Sequence, residues 1–356
     1  MIIDRRSRLE RFYQEHNLDA ILFTNILNVR YLSGFSGSEA MLVTAADSAC
    51  WLLCDSRYTI QAEAETSHVE VIQFVERNSA LAMLFAERGL RRIGVESTHM
   101  TVAAFNAVAS ALQGCELVPV GDELDQIRAV KDQTEIGMLE LVARLASDAL
   151  LSVLSQFKVG MTEARLAMEL EIEMLRRGAQ GKAFDFIVAS GERGAMPHGR
   201  ASDKRIMSGE LLTIDFGAVL DGYHSDETVT FSIGAPDNRC REIHAVVKEA
   251  HDLAVAAARP GMTCRQLDAV ARDYIRNSGY GEFFGHGLGH GVGLEIHEKP
   301  TVSPRSDIVL QEGMVFTIEP GIYIPGVGGV RIEDTVCLTS NGCRLLTSVP
   351  KELTVL

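Results

Sequence analysis

The sequence predicts two domains: a small α/β domain with a mixed sheet, then a larger α+β domain made of two copies of one helix-then-strand unit. Three observations lead there. The 356 residues are long for a single core, and a yardstick of about 150 residues per domain suggests two. Short apolar runs alternate with helical patterns up to about residue 126. Beyond that point a set of short matches recurs at a nearly constant offset.

In the first domain the runs Ala20–Thr24, Ala40–Thr44, Cys50–Cys54, Val69–Phe74, Ile93–Val95 and Leu117–Val120 read as strands. Arg5–His16, Ala80–Arg88 and Val102–Leu112 read as helices. The next element has a defined start, because Asp132 with Glu135 three residues on is a capping-box pattern. Ile136, Leu139, Ala143, Ala146, Leu150, Val153 and Phe157 then fall on one apolar stripe of a long helix. The boundary is placed just before it, giving domains 1–126 and 127–356.

The repeat is visible by subtraction. Gly160-Met161-Thr162 recurs as Gly261-Met262-Thr263, and the same offset pairs Leu166 with Leu267 and Gly178 with Gly279. Both copies read as a helix ending at a glycine in the left-handed conformation. Further on, the segment from Gly209 to Asp215 and Gly217 matches that from Gly313 to Glu319 and Gly321. The duplication makes Asp215 and Glu319 equivalent, each at the end of an apolar strand (Leu211–Ile214 and Met314–Ile318). Each copy adds a second acid in a following strand, Asp226 or Glu333.

Four carboxylates related by an internal two-fold would converge between the halves. Buried acids cost several kcal/mol each unless neutralised. Lys204, Arg205 and Arg331, the cations near them in sequence, are too few, and divalent metal answers the deficit. A nitrogen ligand is available in the glycine-rich run Phe284–Gly293, which carries His286 and His290, with His297 close behind. Its alternating glycines would let backbone approach a ligand closely. The run does not fit GxGxxG; His297-Glu298-Lys-Pro-Thr301 does not fit HExxH; Gly34-Phe-Ser36-Gly-Ser38 lacks the last glycine of GxSxG.

Composition narrows the function classes. A formal charge of −14 argues against nucleic acid and anionic membrane as partners. The charged start Met1 to Arg8 lacks the apolar core of a signal peptide, and no run approaches the roughly 18 apolar residues of a membrane span. Seven cysteines without CxxC pairing read as reduced, buried thiols, so a cytoplasmic compartment is expected.

The second domain resembles the superfamily of methionine aminopeptidase, prolidase and aminopeptidase P, whose fold is called pita-bread. The resemblance rests on Thr213-Ile-Asp215-Phe-Gly217, Ser225-Asp226-Glu-Thr228-Val-Thr230, Gly285–Glu298, Thr317-Ile-Glu319-Pro-Gly321 and Val330-Arg-Ile-Glu333-Asp334. Val229 departs from the Thr-Arg-Thr ending common there, at a position that is not a ligand. The first domain, with Tyr31-Leu-Ser-Gly34 and Asp55-Ser-Arg57-Tyr58, resembles the creatinase-type N-terminal domain of the prolidase and aminopeptidase P branch.

The resemblance implies a pita-bread catalytic domain binding two divalent ions per chain through Asp215, Asp226, His290, Glu319 and Glu333, with Asp226 and Glu333 bridging. An oxygen-rich donor set favours manganese, with cobalt, iron or zinc as alternatives. The implied reaction is hydrolysis of the Xaa-Pro bond at the N-terminus of dipeptides or short peptides by a hydroxide shared between the ions. Glu319 would move its proton to the leaving nitrogen. His198 would lie near the scissile nitrogen, and His297 would hydrogen-bond the carbonyl oxygen as it becomes negative. His286 would line the pocket for the second residue, and Arg331 would hold a carboxylate or orient Glu333. His224 neighbours a ligand, while His16, His68, His99, His244 and His251 read as structural or solvated. A homodimer is expected, since closed symmetric dimers are the commonest oligomer. Two other readings stay open: a general metal-dependent aminopeptidase without a strict proline requirement, and a catalytically silent pita-bread binding module. The preference between dipeptides and longer chains is also left open.

Overall fold

The computed structural model describes residues 2–356, and the chain divides into two compact units, Met1–Arg128 and Ala129–Leu356. The first unit is built on a six-stranded mixed sheet in the order Glu70–Gln73, Cys50–Cys54, Met41–Ala45, Ala20–Phe23, Arg92–Glu96, Glu116–Val120. The two pairings around Met41–Ala45 are antiparallel and the other three parallel. Strands buried along their length, such as Cys-Trp-Leu-Leu-Cys at 50–54, read as continuous apolar runs, which is why they stood out in the sequence. Leu81, Leu84 and Phe85 of helix Arg77–Arg88 and Val108 of helix Val102–Ala111 pack with Leu22, Val43, Leu53 and Val95 of the sheet.

Three features of this unit differ from expectation. The first helix is two, Ile2–Ser7 and Glu10–Glu15. Helices Ile26–Ser33 and Thr59–Glu65 were not anticipated. The former carries ordinary signals, an Asn25 side chain accepting from Leu27 N and Gly34 at φ 85° closing it.

The second unit opens with helix Gln133–Leu154, whose start is the expected capping box of Asp132 and Glu135. The duplication is present in three dimensions. Helices Glu163–Arg176 and Cys264–Asn277 are capped by Thr162 and Thr263, and each is followed by a positive-φ glycine, Gly178 or Gly279. Each packs against a long helix, Gln133–Leu154 in one half and Asn238–Ala257 in the other. In the first half, strand Leu211–Phe216 pairs antiparallel with Glu227–Ser232; in the second, Val315–Ile318 pairs antiparallel with Asp334–Thr339. Each half has its own apolar core, one around Leu166, Leu170 and Ile214, the other around Leu267, Ala271 and Phe316. This is the pita-bread architecture. Among the described residues no helix is long and apolar enough to cross a membrane, and all seven cysteines are free thiols.

Candidate active site

The two strand pairs deliver their acids to one place. Asp215 sits within Leu211–Phe216 opposite Thr228, and Glu319 immediately follows Val315–Ile318. Asp226 and Glu333 precede the partner strands Glu227–Ser232 and Asp334–Thr339. Across the two halves Thr228 and Glu333 form an isolated bridge, with Glu333 N donating to Thr228 O at 3.0 Å. His290 belongs to the short strand Gly289–Gly291, which lies between Glu298–Val302 and Val315–Ile318. A Cβ on Gly289 would stand 1.9 Å from Thr317 O and one on Gly291 2.1 Å from Lys299 O. These two glycines therefore admit neighbouring strands of the protein itself, not a ligand as the sequence led one to expect, because the run is an inner strand of a sheet.

A cavity of about 580 Å³ is lined by all five candidate ligands and by His198, His286, His297 and Arg331. Of these, Asp226, His290 and Glu333 offer atoms all within 4.8 Å of one another. His290 is set up as a ligand. Its Nδ1 is 3.1 Å from Gly291 O, an acceptor only, so Nδ1 carries the proton and donates. Burial holds the ring below its usual pKa, keeping it neutral, with the Nε2 lone pair free. That lone pair faces Glu319 Oε1 at 3.4 Å and Asp226 Oδ2 at 3.5 Å. Burial, reinforced by Glu333, Asp215 and Glu319, raises the Asp226 carboxyl well above the usual range. Glu333 is raised by burial and then by Glu319 and Asp215. Burial pushes Glu319 up to about 7 against the pull of Arg331. Asp215 Oδ1 is buried and finds no hydrogen-bond partner among the described residues. Buried carboxyl groups that resist ionisation for want of a countercharge fit a cation, and hard oxygen donors with one imidazole fit a divalent metal.

Neighbouring side chains fix this set. Thr228 Oγ1 donates to Glu333 Oε2 at 2.5 Å, and Thr317 Oγ1 to Glu319 Oε1 at 3.1 Å. Arg331 is buried, and its guanidinium donates to Asp215 Oδ2 (2.5 Å), Tyr323 OH (3.0 Å), Pro197 O (3.1 Å) and Thr228 Oγ1 (3.2 Å). His286 has Nδ1 at 2.8 Å from Gly287 O and Nε2 at 2.9 Å from Tyr323 OH, so both ring nitrogens are engaged within the protein. His198 and His297 are exposed on the cavity wall, and the His297 ring packs edge-on against His290 at 4.3 Å. His224 is outside the lining, its backbone N–H donating to Gly293 O at 2.9 Å.

Sequence reasoning passed over Tyr323, Thr228 and Thr317. A signal existed for the last, since Thr-Ile-acid occurs in both copies of the repeat as Thr213-Ile-Asp215 and Thr317-Ile-Glu319. Phe184, Ile187 and Ile296 give the cavity an apolar wall that no pattern announced.

Two family models match the chain. Residues 138–340 match the model of metallopeptidase family M24, and residues 5–130 match the creatinase/prolidase N-terminal domain. The chain is 39% identical to the Xaa-Pro dipeptidase of Pyrococcus furiosus over 98% of its own length and 99% of that protein's. The solved Xaa-Pro dipeptidase from Bacillus anthracis superposes with a TM-score of 0.97 at 39% identity, covering 100% of both chains. An X-Pro aminopeptidase from Thermotoga maritima superposes with a TM-score of 0.90 at 41% identity, covering 97% of this chain and 100% of that one. The chain belongs to metallopeptidase family M24, whose members depend on divalent metal, and it carries a creatinase/prolidase-type N-terminal domain.

Proposed function

We propose that the protein is a two-metal exopeptidase that hydrolyses the Xaa-Pro bond at the N-terminus of dipeptides or short peptides. The observation that carries the metal reading is the unprotonated Nε2 of His290 facing two carboxylates at 3.4 and 3.5 Å. The proline reading is supported by relatives of both chain-length types, the Pyrococcus furiosus dipeptidase and the Thermotoga maritima aminopeptidase. It is also supported by the apolar wall of Phe184, Ile187 and Ile296, suited to a compact ring.

Asp215, Asp226, His290, Glu319 and Glu333 would hold the ions, five protein ligands being more than one ion needs. When bound, the ions supply a water of lowered pKa and polarise the scissile carbonyl. The residues do the rest. Glu319 carries a proton from the attacking water to the leaving nitrogen of proline. His297 donates to the carbonyl oxygen as negative charge develops, and His198 lines the side where the leaving residue departs. Arg331 and Thr228 keep Asp215 and Glu333 in place through the hydrogen bonds described above.

The test is a matched panel of Xaa-Pro dipeptides, Xaa-Pro-Xaa tripeptides and Xaa-Ala dipeptides with Mn(II) present. The proposal expects hydrolysis of one or both proline series and at least tenfold lower kcat/KM on Xaa-Ala. Equal turnover of Xaa-Ala would favour a general aminopeptidase. No turnover of any peptide would favour a binding module.

A further inference from the structure

The two acids that come from different halves of the duplication, Asp226 and Glu333, are each followed directly by a second acid, Glu227 and Asp334. Neighbouring residues of an extended strand face opposite sides, so the second acids turn away from the cavity, and both are almost wholly buried, at 1% and 2% exposure. Behind the site they share one cation. Lys351, near the end of the chain, places Nζ 2.5 Å from Glu227 Oε1 and 3.1 Å from Asp334 Oδ1. Glu227 also accepts from Ser147 Oγ at 2.6 Å and Val349 N at 2.9 Å. Asp334 accepts from Thr347 Oγ1 at 2.5 Å and lies 3.2 Å from His251 Nε2.

The place of this bridge matters. Strands Glu227–Ser232 and Asp334–Thr339 belong to different sheets and share no ladder. Between their starts the backbone offers the isolated Thr228–Glu333 bridge, aided by Thr335 Oγ1 donating to Asp226 O at 2.7 Å. Side chains carry the rest of this seam, Thr228 Oγ1 donating to Glu333 Oε2 at 2.5 Å and Thr230 Oγ1 to Arg331 O at 2.9 Å, so the spacing of Asp226 and Glu333 depends on side-chain contacts. Without the ammonium, two buried carboxylates would face each other across the seam and push it open.

We infer that Lys351 is a positioning residue for the metal centre, setting the separation of Asp226 and Glu333 by tying together the acids that follow them. The inference rests on the reading of those two acids as metal ligands.

Co(II) serves as the probe on the full chain, with affinity measured by calorimetry and ligand geometry by visible absorption. Lys351→Met should weaken Co(II) binding by about 10- to 100-fold, the usual effect of removing an outer support of a metal ligand, and should alter the absorption spectrum. Lys351→Arg, which keeps the charge, should recover most of the affinity. A merely structural lysine would lower the stability of the metal-free chain and leave affinity and spectrum as in the wild type; that result overturns the inference. Should Lys351→Met fail to fold, Ser147→Ala and Thr347→Val each remove one hydrogen bond from the same pair of acids. Each should weaken Co(II) binding several-fold, and unchanged affinity in both would overturn the inference equally. A wild-type chain that takes up no Co(II) would overturn the metal reading itself, and this inference with it.

Discussion

Replacing Arg331 by methionine tests how the buried side of the site is held. The guanidinium meets Asp215, Tyr323, Thr228 and the Pro197 carbonyl, and it is almost wholly buried at 3% exposure. Its removal leaves Asp215 without a partner on either oxygen, since Oδ1 already has none among the described residues. Breaking one side of a buried ion pair costs about 3–5 kcal/mol. At roughly 2–4 °C per kcal/mol for a unit of this size, the metal-free variant should melt about 10 °C below wild type. Saturating metal at about 100 times its Kd should restore roughly 2.7 kcal/mol. The kinetic consequence follows from where the guanidinium points. A group that holds Asp215 serves every substrate alike, so kcat/KM should fall by the same factor, about 10- to 100-fold, on an Xaa-Pro dipeptide and on the matching Xaa-Pro-Xaa tripeptide. Differential scanning calorimetry with and without Mn(II), and steady-state kinetics on both peptides, read the two effects. A loss confined to the dipeptide, with an unchanged melting temperature, would refute this reasoning and return Arg331 to the substrate's free carboxylate.

Two further predictions concern other residues. Asp226→Asn should abolish detectable turnover while His224→Ala, outside the cavity, stays within about tenfold of wild type; comparable losses in side-by-side assays would contradict the proposed ligand set. His244 is buried with Nε2 unpartnered among the described residues, and burial pushes its pKa down to about 4. The unfolded chain binds that proton near pH 6.5, so this contribution to stability is complete above pH 6.5 and lost as the pH falls toward 4. The full span is roughly 3 kcal/mol, with about 2 kcal/mol gone by pH 5. Urea unfolding of wild type and His244→Leu from pH 7 to 5 should show the variant losing less stability, and parallel curves would exclude the effect.

How much was legible in the sequence depends on the range of the interaction. Asp215, Glu319, Asp226 and Glu333 were found because the duplication puts acids at equivalent places in apolar strands, a one-dimensional pattern. The capping box at Asp132 and the glycines that end the repeated helices are local chemistry, and they were equally plain. Arg331 illustrates the opposite case. Its nearness to Glu333 in sequence suggested a role there or on a substrate carboxylate, yet its shortest contact is with Asp215, 116 residues away. Tyr323 is joined to His286 and Arg331 by hydrogen bonds that no spacing rule encodes. The Gly289 and Gly291 backbone makes way for the Thr317 and Lys299 carbonyls, partners set by sheet pairing and invisible in the glycine pattern alone. In the first unit the break between helices Ile2–Ser7 and Glu10–Glu15 escaped notice because its residues carry neither proline nor glycine.

The central claim is that two divalent ions held by five residues perform the hydrolysis. Its most direct test is a titration of chelator-stripped protein with Mn(II), following bound metal per chain and Xaa-Pro hydrolysis in the same samples. The account predicts no turnover in the stripped protein and activity rising to a plateau at two equivalents per chain. Full hydrolysis by protein shown by elemental analysis to carry no metal, or a plateau reached at one equivalent, would contradict it.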